Sequence, residues 1–213
     1  MWKLDIDALR FDGERRMVVV VAQDAVSGRV LMVAHADREA LEQTLRTGEM
    51  HYRSRTRGLW HKGATSGNTQ RVISLTADCD ADVVLARVMS AGPACHTGQA
   101  TCFGDGGGSV FSALAATIED RSASSDRKPR ASPSYTQKLL GDRNLRLKKL
   151  GEEAAELVAS CADADAARAA QEAADLIYHV GVALKGAGTS LDAAAAELFR
   201  RSEGGKSEGT AKV

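Results

Sequence analysis

The 213 residues carry 28 lysines and arginines against 28 aspartates and glutamates, so the formal net charge is zero. That balance excludes bulk electrostatic attraction to nucleic acid or to an anionic membrane. A composition of 26% charged and 44% apolar residues, with no run of eighteen apolar residues, fits a globular chain and excludes a hydropathic membrane span.

At the N-terminus, MWKLDIDALRFDGERR is too acidic and too interrupted for a signal peptide. A cytoplasmic protein is expected, its four cysteines reduced and available as metal ligands or small core residues. MVVVVAQD (17–24) and RVLMVAHA (29–36) are β-branched runs separated by Ala25, Val26, Ser27 and Gly28, which predicts a hairpin. DREALEQTLRTGE places Ala40, Leu41 and Leu45 on one helical face and ends at Gly48. MHYRSRT, RVISLTAD and ADVVLARVM alternate like strands.

After Cys102 the pattern changes. GDGGGS (104–109) has the composition of a flexible joint. Beyond it Val110, Phe111, Leu114 and Ile118 recur at helical spacing, and the Ser/Pro-rich stretch around 122–134 reads as a loop. Helices are predicted over 134–140, 144–162, 164–186 and 190–201, with Gly188 a C-cap and Ser190 an N-cap. The tail 203–213 has a disordered composition. The predicted class is α+β, with a β-rich domain over 1–108 and an all-α domain over 109–213.

Cys79, Cys95 and Cys102 lie in one short window, while Cys161 sits among Val158, Ala159 and Ala162 and reads as a core residue. PACHTGQATC is too polar for core thiols. Three thiolates suit zinc, with the fourth position open to water in a catalytic site or filled from elsewhere in a structural one. His96 is a fourth ligand, a proton shuttle or a solvent-exposed neighbour. In DCDADVV (78–84), strand alternation puts Asp78, Asp80 and Asp82 on one face and Cys79 on the other. Oxygen donors suit magnesium as thiolates suit zinc, so one strand is expected to serve two metals of opposite softness.

No acidic residue occurs between residues 50 and 77 once Glu49 is passed, a stretch that holds Arg53, Arg55, Arg57, Lys62 and Arg71 before GATSGNTQ. Arginine forks, hydroxyls and glycine-freed amides are the donors a phosphate site uses, and Tyr52 or Trp60 could stack on a base. RNA binding is the rival reading, disfavoured by the neutral charge and the lack of an aromatic sheet motif. In the second half, GEEAAE and EAAD supply Glu152, Glu153, Glu156, Glu172 and Asp175 on successive helices. One acidic helix face is ordinary solvated surface; two facing each other across an antiparallel pair are a recurrent way to hold divalent cations.

HYRSRTRGLWHKGATSGNTQ, DCDAD and GPACHTGQATCF together resemble phosphoribosyl-AMP cyclohydrolase, and GEEAAELV with EAADLIYH resembles phosphoribosyl-ATP pyrophosphohydrolase. The order is that of the bifunctional enzyme family of histidine biosynthesis, and the resemblance covers nearly the whole chain. It implies zinc on Cys79, Cys95 and Cys102, with Cys79 coming from the other subunit of a homodimer. It implies magnesium on Asp78, Asp80 and Asp82, and again on Glu152, Glu153, Glu156, Glu172 and Asp175. The implied chemistry is release of pyrophosphate from phosphoribosyl-ATP, then opening of the adenine ring of phosphoribosyl-AMP between N1 and C6. His96 is expected to move the proton, and Arg55, Trp60, Lys62, Ser66 and Asn68 to hold the substrate. AHAD (34–37) and Ala64 depart from the family's usual residues. The alternative is a nucleotide-cleansing pyrophosphatase with an inactive, zinc-stabilised N-terminal half.

Overall fold

The computed structural model describes residues 4–54, 56, 58–104, 108–123 and 132–208, the side chains of 203–208 excepted. The chain divides into two compact units, Met1–Ser109 and Val110–Val213. Residues 1–3, half of the glycine-rich joint (105–107), the centre of the Ser/Pro-rich loop (124–131), Arg55, Arg57 and the last five residues lie outside the described residues. Among the described residues no helix is long and apolar enough to cross a membrane.

The first unit is β-rich. Strands β1 (Met17–Asp24) and β2 (Val30–Asp37) form the predicted hairpin, its turn closed by Asp24, whose Oδ1 accepts from the Val26 and Ser27 amides and the Ser27 hydroxyl. Helix α1 (Arg38–Thr47) is capped by Asp37, which accepts from the Ala40 amide, and stops at Gly48 in the left-handed region. Strands β3 (His51–Ser54) and β4 (Gly58–His61) make a separate two-stranded sheet. β5 (Gln70–Ala77) and β6 (Val83–Ser90) complete a four-stranded sheet of order β2-β1-β6-β5, with β1 and β6 parallel and the other pairs antiparallel. Alternation along β1 and β6 buries Val18, Val20, Ala22, Val84, Ala86 and Val88 with Leu31, Leu41 and Met50. β4 was not legible in the sequence: it is four residues long and begins at a glycine.

The strand reading of DCDAD is overturned. Residues 78–82 form the turn between β5 and β6, with Ala81 at φ 62°. Asp78 Oδ1 accepts from the backbone amides of Asp82 and Val83, both at 3.1 Å, so local turn chemistry and not a ladder organises the segment. Alternation of faces therefore does not separate Cys79 from the aspartates.

The second unit is helical: α2 (Val110–Ser122), α3 (Tyr135–Gly141), α4 (Arg143–Ala162), α5 (Ala166–Gly186) and α6 (Leu191–Glu208). Ser134 and Gln137 form a reciprocal capping box on α3. α5 ends at Ala187 with Gly188 left-handed beyond it, and the Ser190 hydroxyl accepts from the Ala193 amide at the start of α6. α6 runs through Glu208, into the stretch whose composition suggests disorder. Arg146, 9% exposed, donates to the Leu139 and Leu140 carbonyls and so ties α4 to the end of α3.

The small core of this unit centres on Ile118, Leu139 and Val182. Gly181 lets α5 approach it: an added Cβ would stand 2.6 Å from Ile118 Cδ1 and 2.9 Å from Leu191 Cδ1. Gly181→Ala should therefore destabilise the unit by about 1–3 kcal/mol through overpacking, read by denaturant unfolding. An unchanged midpoint would show that the close approach does not constrain the fold. Cys161 is exposed, contrary to its reading as core. The buried positions of α4 are Arg146, Glu153 and Ser160, seven apart, and Cys161 stands about 100° off that line.

Candidate functional site

Two separate donor sets arise, one in each unit. In the first, the residues after β6 fold back on the start of β2, where the Cys102 amide donates to Leu31 O at 2.8 Å. The Cys95 amide donates to Gln99 O and the Gly98 amide to Cys95 O, closing a tight loop between the two cysteines. The resulting cavity, about 470 Å³, is lined by Cys95, His96, Cys102, Trp60, Lys62, Ser66 and Asn68, with Met32, Gly63, Ala64, Thr65, Pro93, Ala94 and Gly98. Seven of those residues come from the 60–68 segment, which holds Trp60, Lys62, Ser66 and Asn68, the described residues that the resemblance assigns to substrate. Arg55 lies outside the described residues.

The hairpin of β3 and β4 aims this segment. His51 and His61 stack at 4.5 Å on one side, His61 Nε2 held 2.7 Å from Glu49 Oε2. Trp60 and Lys62 flank His61 and line the cavity. Tyr52 is fully buried with its hydroxyl donating to Gln70 Oε1 at 2.7 Å, so it is core and cannot stack on a base. Lys62, 4% exposed, donates from Nζ to Asn68 O at 3.0 Å and braces the loop between them. Burial lowers the Lys62 ammonium pKa, and the Cys102 thiolate opposes that shift.

Glycines complete the brace. At Gly63, φ is +86°, and an added Cβ would lie 2.3–2.5 Å from the backbone of Asn68 and Thr69. The left-handed conformation alone costs a side chain about 1–2 kcal/mol. Gly63→Ala should lower the stability of the first unit by at least about that amount and raise KM at this cavity; normal stability and KM would refute the brace. Neither Gly63 nor Gly92, which abuts the Asn68 side chain, was singled out from sequence. The run GATSGNTQ carried the only signal.

The thiols are unequal. The Thr97 hydroxyl donates to Cys95 Sγ at 3.1 Å and, with the Thr97 amide and then Cys102, lowers the Cys95 thiol pKa. Burial and the neighbouring Cys95 push the Cys102 thiol up. His96 is exposed, with Nδ1 3.9 Å from Cys95 Sγ. Cys79 is exposed on the β5–β6 turn and does not line the cavity. On that turn Asp78, Asp80 and Asp82 each bring a carboxylate oxygen within 4.8 Å of the others, a hard-donor set exposed to solvent. Backbone donation from Val83 is the main cause lowering the Asp78 carboxyl pKa. Arg10 Nη1 lies 3.9 Å from Asp80.

In the second unit α4 and α5 pack as a pair in which Glu156 meets Glu172 and Glu153 faces His179, an antiparallel order. Glu153, Glu156 and Glu172 present oxygens within 4.8 Å of one another. Hydrogen bonding with Glu172 is the main cause raising the Glu156 carboxyl pKa, as expected where like charges share a site without a cation. Glu152 turns to the flank, 3.1 Å from Lys148 Nζ and 3.0 Å from Lys149 Nζ. Asp175 is exposed and does not join the three-carboxylate group, although its charge reaches His179. Sequence reasoning missed His179, whose ring is 5% exposed beside the cluster.

Two family models match the chain in this order: phosphoribosyl-AMP cyclohydrolase over residues 32–104 and phosphoribosyl-ATP pyrophosphohydrolase over residues 111–202. The histidine biosynthesis bifunctional protein HisIE of Parasynechococcus marenigrum is 48% identical over 197 residues, covering 87% of this chain and 88% of the relative. The chain belongs to the HisIE family. The HisIE protein of Thermus thermophilus is 41% identical over 93% of this chain and 94% of its own, and that of Deinococcus radiodurans 43% over 92% and 93%. The HisIE segments coincide with the two compact units: the first match contains the thiol cavity and the aspartate turn, the second the carboxylate helices.

Proposed function

We propose that the chain carries out two consecutive hydrolyses of histidine biosynthesis, each in its own unit. The observation that carries this is the presence of two chemically different donor sets, soft thiols with a lined cavity in one unit and facing carboxylates in the other, each inside the corresponding family match. The helical unit releases pyrophosphate from phosphoribosyl-ATP, and the β-rich unit opens the adenine ring of the phosphoribosyl-AMP produced.

The donor chemistry fits the implied metals. Paired thiols at Cys95 and Cys102 suit zinc, and Glu153, Glu156 and Glu172, like Asp78, Asp80 and Asp82, suit magnesium. Bound zinc lowers the pKa of its water to about 7, which supplies a nucleophile at neutral pH for attack at C6; bound magnesium neutralises phosphate oxygens. The protein's own side chains do the rest. Trp60 and the Ser66–Asn68 loop hold the nucleotide against the thiols, Lys62 keeps that loop in place, and His96 carries the proton at Nε2. In the helical unit Glu153, Glu156 and Glu172 would hold the cation, and a carboxylate of the same set would orient water toward the α–β phosphate bond.

Cys79 lies apart from the other two thiols in its own chain, which supports a site completed by Cys79 of a second copy in a homodimer. Metal removal tests the assignment. A chelator that strips zinc should abolish ring opening, with recovery on adding zinc, while pyrophosphate release continues in magnesium. Ring opening that survives in protein shown to contain no zinc would contradict it. In the second unit, Glu156→Gln should abolish pyrophosphate release and leave ring opening intact; retained release would remove the carboxylates from the mechanism.

A further inference from the structure

His179 is buried, yet neither of its ring nitrogens has a close hydrogen bond among the described residues. Nδ1 is inaccessible and without a partner, and Nε2 faces Glu153 Oε1 at 3.7 Å. Buried polar atoms are nearly always satisfied, so an imidazole kept in this state beside three carboxylates needs a reason. A stacked pair of tyrosines packs against it: Tyr178 and Tyr135 meet the ring edge-on at centroid distances of 5.1 and 6.0 Å. Tyr178 is itself anchored, its hydroxyl 3.0 Å from Thr136 Oγ1.

The tautomer follows from the surroundings. A proton on Nδ1 would be a buried donor with nothing to accept it, a costlier defect than a bare ring lone pair. The proton therefore sits on Nε2, the nitrogen that lies 3.7 Å from Glu153 Oε1. Lys149 Nζ approaches the same oxygen, also at 3.7 Å, but is held more closely by Glu152 at 3.0 Å.

The geometry points to His179 as the residue that positions Glu153 for cation binding: Nε2 stands 3.7 Å from Oε1, near enough to hydrogen-bond it once the carboxylates close around an ion, leaving Oε2 for that ion. This rests on the reading of the three carboxylates as a metal site. His179 is a positioning residue and touches neither substrate nor ion. It acts by holding one ligand in the orientation the other two require, as outer partners of metal-binding carboxylates do.

The test is calorimetric titration of the full chain with manganese(II) in the absence of substrate. The helical site is the binding component lost when Glu153, Glu156 and Glu172 are all replaced by glutamine. His179→Phe, which keeps the ring and removes both nitrogens, should weaken that component by about 10- to 100-fold. His179→Gln, whose amide nitrogen can stand where Nε2 stands, should restore most of the affinity. The helical circular-dichroism signal and its thermal midpoint, which report on the second unit itself, show that each variant is folded. If the triple variant loses no component, the metal site and the proposal fall together. If the component exists but His179→Phe binds normally, or if the phenylalanine and glutamine variants are equally weakened, only the positioning role is refuted.

Discussion

Cys95→Ser should reduce ring opening of phosphoribosyl-AMP by at least about 1000-fold, because a water without its zinc returns from a pKa near 7 toward that of bulk water. Of the two thiols at the cavity, Cys95 has the Thr97 hydroxyl 3.1 Å from Sγ and its pKa lowered by that contact, which favours the thiolate that the proposed zinc would need. A serine hydroxyl fits the same space but stays protonated, and soft-metal affinity falls with the loss of thiolate character. Pyrophosphate release should be unchanged, since Glu153, Glu156 and Glu172 belong to a different compact unit. Loss of both activities in a folded variant would refute the division of labour.

The second large effect concerns assembly. Cys79→Ser and Cys95→Ser subunits should each be inactive in ring opening alone, yet mixing them under exchange should restore activity. Cys79 stands on the β5–β6 turn, while Cys95 and Cys102 face the cavity below the β3–β4 hairpin, so one chain does not bring the three thiols together. In a two-fold dimer with the site shared, a mixed pair holds one doubly damaged and one intact site. Random one-to-one exchange then recovers about one quarter of wild-type activity. No recovery, with exchange demonstrated, would mean that each chain builds its own site.

Much of this was legible because local chemistry and tertiary packing agree. The β-branched runs of β1 and β2, the apolar face of Ala40, Leu41 and Leu45 and the Gly48 stop each specify their element without help from the rest of the chain. The errors fall where two local signals share one pattern. Asp-x-Asp-x-Asp has the period of a strand, but Asp78 uses its carboxylate to close a turn on Asp82 and Val83, an option that alternation does not display. Cys161 has apolar neighbours in sequence yet stands one position beyond the buried row of α4, and a one-residue step on a helix changes face.

The carboxylates were readable as a group but not as a geometry. Glu152 and Glu153 are adjacent, and only the pairing of α4 with α5 decides that Glu153 meets Glu156 and Glu172 while Glu152 goes to Lys148 and Lys149. His179 closes the EAADLIYH run but drew no role for a similar reason: it meets Glu153 through a contact from α5 to α4 that no spacing along the chain encodes. The brace formed by Lys62 and Gly63 on Asn68 likewise depends on a loop conformation that GATSGNTQ permits without specifying.

Two working hydrolytic centres in one chain should be separable by the substrate supplied. Turnover of purified phosphoribosyl-AMP by the full-length protein, followed through the absorbance change of ring opening with pyrophosphate assayed in parallel, tests this most directly. Zinc-dependent ring opening with no pyrophosphate released is expected, and pyrophosphate followed by ring-opened product when phosphoribosyl-ATP is supplied instead. Accumulation of phosphoribosyl-AMP with its ring intact, in zinc-loaded protein that cleaves phosphoribosyl-ATP, would contradict it and leave a pyrophosphatase with a silent first unit.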